Sequence, residues 1–149
     1  MNISLFCCEE KIVRVEAFDG HAGLNDIMHM FHFMNKTKYK MTPGAYGCLL
    51  SHLETIRRFY ESGAERALIL EDDVNLEAMP YWDKPISQII EEAPKDWQII
   101  SLKWGHPQAE PGTMYTRWSE LCYFTAAYII NRSGAEKIVN ALWRENAPV

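Results

Sequence analysis

The sequence predicts an α/β fold, a mixed and mostly parallel sheet flanked by helices. Three observations predict it. Apolar runs too short for helices stand at 67–70, 97–102 and 123–130. Segments with apolar residues at helical spacing alternate with them. Several of those segments carry their own start and stop residues. Strands joined by helices are expected to be parallel neighbours in one open sheet. At 149 residues the chain is long enough for one proper core, and it is read as a single domain over 1–149.

Taken in order, 11–18 alternates loosely and stops at Asp19-Gly20, a turn signal, which predicts a short strand. The segment 23–40 is rich in Met, His and Phe. Ile27, Met30, Phe31 and Met34 have helical spacing there, and His29 and His32 share a face without two further ligands that would make a zinc site. Thr42-Pro43 is an N-cap followed by proline at the first helical position. Leu49, Leu53, Ile56 and Tyr60 then form the expected core stripe, and Gly63 is placed to end the helix. The run 67–70 is a buried strand closed by Glu71-Asp72-Asp73. A helix over 85–92 carries Ile86, Ile89 and Ile90 and stops before Pro94, and a strand follows at 97–102. Gly105 to Gly112 has the composition of a mobile loop. A third strand is expected over 123–130, and Ser133-Gly134-Ala135-Glu136 has the pattern of a capping box opening a last helix through Ile138, Val139 and Leu142.

Composition narrows the function classes. A net charge of -5 argues against a general nucleic-acid binder. No apolar run approaches the roughly 20 residues of a membrane span. The first residues lack the basic n-region and apolar length of a signal peptide, so cytoplasmic residence is the expectation. Cys7, Cys8, Cys48 and Cys122 show no C-x-x-C spacing and are read as reduced and structural, Cys48 and Cys122 as small hydrophobes.

Glu71, Asp72 and Asp73 are the chemically informative residues. Three adjacent carboxylates at a strand end repel one another unless a cation or hydrogen-bond donors meet them. Mg²⁺ or Mn²⁺ is the natural partner for carboxylate oxygens, while a solvated acidic turn is the inert alternative. Open α/β sheets bind ligands at the carboxyl ends of their strands, where this cluster lies, and that favours the metal site. Ser51 and His52 stand on the helix leading into the acidic strand. Read alone, they are a back-bonded serine and a satisfied core histidine.

Gly47-Cys48-Leu49-Leu50-Ser51-His52, then Ile69-Leu70-Glu71-Asp72-Asp73-Val74, then the stretch from Thr125 to Ala135, closely resemble glycosyltransferase family 25. Val15 to Gly20 is similar to that family's Ala-x-Asp-Gly turn. The family includes lipooligosaccharide and collagen galactosyltransferases. The resemblance implies a GT-A-like, Rossmann-like nucleotide-sugar fold, here truncated, with Met1 to Phe6 as a remnant of the first strand, the Arg-bearing segment absent, and Ala45 where the family often has Glu. It implies a metal-dependent, inverting transfer of a hexose, galactose or glucose, from a UDP-sugar to a glycan, lipid-linked or protein acceptor. The alternative is a degenerate domain of the same fold that binds nucleotide-sugar or a partner without turnover. Glu71-Asp72-Asp73 would be the counterpart of the D-x-D motif, with Asp73 and Glu71 on Mn²⁺ or Mg²⁺. Asp19, Gly20, Ser51, His52, Glu71 and Asp72 would serve the donor, and Trp104, Thr125 and Tyr128 the acceptor side. The family's catalytic Asp would fall just past Val149, which leaves Glu110 and Glu120 as the remaining loop acids. A truncated sheet is further expected to leave an uncovered edge through which chains self-associate.

Overall fold

A computed structural model describes residues 3–7, 12–21, 42–75, 77, 79–102, 115 and 125–142 of the chain. The expectations placed on His29, His32, Trp104, Glu110, Glu120, Cys122 and the 105–112 loop lie outside those residues. Five strands and three α-helices are described: β1 (Ile3–Cys7), β2 (Ile12–Val15), α1 (Pro43–Glu61), β3 (Arg66–Glu71), α2 (Ile86–Glu91), β4 (Ile99–Ser101), β5 (Ala127–Asn131) and α3 (Arg132–Leu142), with a 3-10 turn at Met79–Tyr81. Among the described residues, no helix is long and apolar enough to cross a membrane.

The strands form one sheet in the order β2-β1-β3-β5-β4. Every pairing between neighbours is antiparallel, which corrects the expectation of a mostly parallel sheet. The physical reason lies in the crossovers. A helical connection fixes the relative direction of the strands it joins but not their adjacency. β2, β3 and β4 do run the same way, being linked across α1 and α2. β1 fills the gap between β2 and β3, and β5 fills the gap between β3 and β4, each in the opposite sense. The short first strand is therefore an interior strand, and the sheet edges are β2 and β4.

Alternation along the strands divides the core between two faces. Ala67, Ile69, Tyr128 and Ile130 face α1 and α3, where they meet Ile56, Phe59 and Ala135. Ile100 and Ile129 face the other way and pack with Ile89 of α2, over Leu68, Trp82 and Trp97. The register sets Ile69 opposite Tyr128 and Ile130 opposite Ile99.

α1 starts where its sequence says. The Thr42 hydroxyl accepts from Ala45 N at 3.2 Å, and Pro43 occupies the first turn. It ends at Ser62, followed by Gly63 at φ +79°, a conformation that costs glycine little. Its buried stripe is Leu50, Leu53, Ile56 and Phe59, so the expected stripe through Leu49 and Tyr60 is corrected by one residue at each end. The rotation follows from a second buried ridge, Gly47–Ser51–Thr55, one helical turn per step. That ridge docks the segment after β2. A Cβ on Gly47 would stand 2.6 Å from Phe18 O, and one on Gly20 only 1.7 Å from Pro43 O, so the two glycines let the backbones touch.

The capping-box reading of Ser133 is corrected too. α3 begins at Arg132, and the Asn131 side chain accepts from Gly134 N at 2.8 Å. Asn131 also donates to Trp97 O, so the residue closing β5 opens the helix and holds the start of β4. The third strand runs Ala127–Asn131; Thr125 and Ala126 lie before it rather than in it, and the expected start at 123 lies outside the described residues.

Candidate active site

The carboxyl ends of β2, β3 and β4 and the amino end of β5 share one edge of the molecule. Hydrogen bonds from Glu71 N to Ala126 O and from Leu102 N to Ala127 O, each 2.9 Å, hold that edge together. It borders a cavity of about 580 Å³. Cys48, Glu71, Asp73, Asn75 and Thr125 form its polar wall, and Leu70, Met79, Trp82 and Leu102 contribute to the apolar one.

Strand alternation decides which way each acid points. Glu71 continues the 67–69–71 face and so turns toward α1. There its Oε1 lies 3.0 Å from His52 Nε2 and accepts from Thr125 Oγ1 at 2.7 Å. His52 Nδ1 lies 3.1 Å from Tyr128 Oη. An ionised carboxylate only accepts, so His52 carries its proton on Nε2 and Nδ1 accepts from Tyr128. The result is a chain Tyr128 to His52 to Glu71 with Thr125 as a second donor. Burial lowers the pKa of His52, against the opposing pull of Glu71, and keeps the ring neutral. Burial, reinforced by Glu71 and Cys48, pushes the Tyr128 hydroxyl far up, so it stays protonated and can donate.

The chain then turns, with Val74 N bonded to Glu71 O at 3.2 Å, and this releases Asp72 and Asp73 to the exposed side. Asp73 reaches the cavity wall. Cys48, one helical turn before His52, reaches the same wall. Its thiol is pushed up by burial first and by the charge of Glu71 next, against a hydrogen bond with Thr125.

The structure thus brings together His52, Glu71, Asp73 and Thr125 from the sequence-predicted set. Tyr128 stands behind the wall, buried against His52. Ser51 is turned away from the acids. Its hydroxyl donates to Gly47 O at 2.6 Å and accepts from Phe18 N at 2.9 Å, which ties the Asp19-Gly20 turn to α1. Asp19 is exposed on that turn and accepts from His21 N at 2.9 Å. Cys48 is the residue the sequence reading missed. Its spacing of four from His52 was the available signal, because such residues share a helix face. On the polar wall Asp73 is a solvent-facing carboxylate that could meet a hard divalent cation, whereas Asn75 Oδ1 accepts from Glu77 N at 2.7 Å and Glu71 is held by His52 and Thr125.

Comparison with known proteins places these residues in a wider group. A family model described as "Glycosyltransferase family 25 (LPS biosynthesis protein)" matches residues 8–110. Procollagen galactosyltransferase 2 of Homo sapiens is 27% identical over 93% of this chain, and that of Mus musculus 26% over the same share. Procollagen galactosyltransferase 1-B of Xenopus laevis is 29% identical over 68% of the chain. The aligned part is 24% of the two mammalian relatives and 18% of the amphibian one, so the chain spans about a quarter of their length or less. No solved structure matches.

Proposed function

The chain belongs to glycosyltransferase family 25, and from that premise we propose that its cavity binds a UDP-sugar with Mn²⁺ or Mg²⁺ and supports transfer of a hexose to a hydroxyl of a glycan, lipid-linked or protein acceptor. The observation that carries the reading is the cavity at the carboxyl ends of β3 and β4, with Glu71 held by two side chains and Asp73 exposed on one wall. The names of the relatives favour galactose as the sugar.

Asp73, with Glu71 beside it, would hold the cation. Bound there, the cation would supply charge neutralisation for a departing diphosphate. Glu71 is fixed by His52 and Thr125, so it cannot swing away when charge develops nearby. Ser51 contributes by holding the turn that carries Asp19 and Gly20 at the same edge. Trp82 offers a flat apolar surface in the cavity for a base or a sugar ring. An inverting transfer needs a base opposite the leaving group, and Glu110 and Glu120 are the candidates within this sequence.

Calorimetry with UDP in the presence of Mn²⁺ tests the binding step. Asp73→Asn is expected to weaken UDP binding by about tenfold or more, the equivalent of roughly 1.4 kcal/mol. Equal affinity in the two proteins would overturn the metal role of Asp73. Release of UDP from UDP-galactose then separates an active transferase from a domain that binds without turnover.

A further inference from the structure

In the reading above, Cys48 is cavity wall and His52 is a hydrogen-bond partner. Yet a sulfur of Cys48, a ring nitrogen of His52 and a carboxylate oxygen of Glu71 all lie within 4.8 Å of one another. We infer that these three side chains form a second cation site, next to the oxygen-lined position at Asp73 and sharing Glu71 with it, that takes a borderline-soft divalent ion of the zinc type.

The backbone sets up the cluster. Cys48 and His52 are one turn apart on α1, and β3 delivers Glu71 to the same face. One sulfur, one nitrogen and one oxygen ligand make a set in which zinc keeps its fourth position open. Here that position looks into the cavity, because Cys48 and Glu71 both line it. Zinc bond lengths place tetrahedral ligand atoms about 3.3–3.6 Å apart. His52 and Glu71 stand at 3.0 Å, so that pair must open by a few tenths of an ångström while Cys48 closes in from a spread of up to 4.8 Å.

Outer partners are present as well. Tyr128 Oη stands at His52 Nδ1, and Thr125 holds Glu71. Such partners orient ligands and raise affinity. On binding, the Cys48 thiol releases its proton to solvent. His52 changes tautomer, Nε2 losing its proton and Nδ1 gaining one; the Tyr128 hydroxyl hydrogen turns away, so that its oxygen accepts a hydrogen bond from Nδ1–H, and the Nε2 lone pair goes to the ion. Thiolate and imidazole suit zinc and are poor ligands for magnesium, so the two sites choose by ligand softness. The inference concerns metal binding alone and stands whether or not the chain transfers a sugar.

Co²⁺ occupies zinc sites and reports thiolate ligation through a near-ultraviolet sulfur-to-cobalt absorption band. Titrated into the full chain, one equivalent is expected to produce that band. Stoichiometric Zn²⁺ should abolish it, and excess Mg²⁺ should leave it. Cys48→Ser should lose the band and Asp73→Asn should keep it, with circular dichroism confirming that both variants fold. No band in the unmodified protein, or a band that persists in folded Cys48→Ser, overturns the inference. If Cys48→Ser does not fold, alkylation of Cys48 in the unmodified protein decides the matter. At free Zn²⁺ near 100 times its Kd, the rate should fall about a hundredfold by occupancy, and an unchanged rate overturns the site.

Discussion

Glu54 shows how single residues on α1 are made compatible with burial. Its carboxylate is nearly covered, yet it accepts from Arg57 Nε and Nη2 at 2.9 Å and from Arg58 Nε at 2.7 Å. Burial alone would raise its pKa, but the two guanidinium groups outweigh that and hold it below the ordinary 4.5. A folded pKa below the unfolded value gives stability that is complete above the unfolded value and is lost as pH falls through the folded one. Glu54→Gln is therefore expected to cost about 1–2 kcal/mol near neutrality. The difference from the unmodified protein should shrink steadily as the pH falls below 4.5. Urea unfolding across that range checks it, and a difference independent of pH would remove the charge from the explanation. At this scale the site was partly legible. His52 and Glu71 meet as the motif suggested, because the motif preserves a helix-to-strand distance. Ser51 could not be assigned from the motif, since its partner Phe18 lies 33 residues away and nothing local announces that contact. Cys48 read as a hydrophobe because its polar neighbours come from Glu71 and Thr125, on other segments.

Among the elements, the junction of β5 and α3 carries the clearest test. Asn131 ends the strand, caps the helix at Gly134 and holds Trp97 O. Gly134 closes the same corner, since a Cβ there would meet Gln98 O at 2.8 Å. Asn131→Ala is expected to destabilise by about 1–2 kcal/mol through the lost cap and the orphaned carbonyl. Ser133→Ala should change stability by less than about 0.5 kcal/mol, because Ser133 is exposed and does not fill the cap. Thermal unfolding of both variants ranks them, and the reverse order would restore the Ser133 cap. The start and end of α1 were legible from Thr42, Pro43 and Gly63, whose effects are local. The start of α3 was not, because the capping-box pattern pointed to Ser133, whereas Asn131, held by its contact to Trp97, fills the cap.

Across the whole molecule, the existence of an α/β sheet was legible from apolar runs and helical spacing, but its order was not. Which strand slots between β3 and β4 depends on pairing at long sequence separation, and no local pattern encodes it. That order predicts a gradient of protection. Amides of β3 and β5, paired on both sides, are expected to exchange with solvent only through global unfolding, whereas those of the edge strand β2 should exchange faster through local opening. Hydrogen exchange followed by mass spectrometry measures it, and uniform rates across the sheet would contradict the gradient. The placement of β5 has a further consequence in time. Of the described strands it is the last to leave the ribosome, and yet it lies between two strands made well before it. Until residue 131 has emerged, β3 and β4 have no common neighbour, Glu71 lacks Thr125, and two apolar ladders wait open. Until then the open ladders are surfaces on which a nascent chain can misassemble, and the wall of the cavity carrying Thr125 is added after the one carrying Glu71.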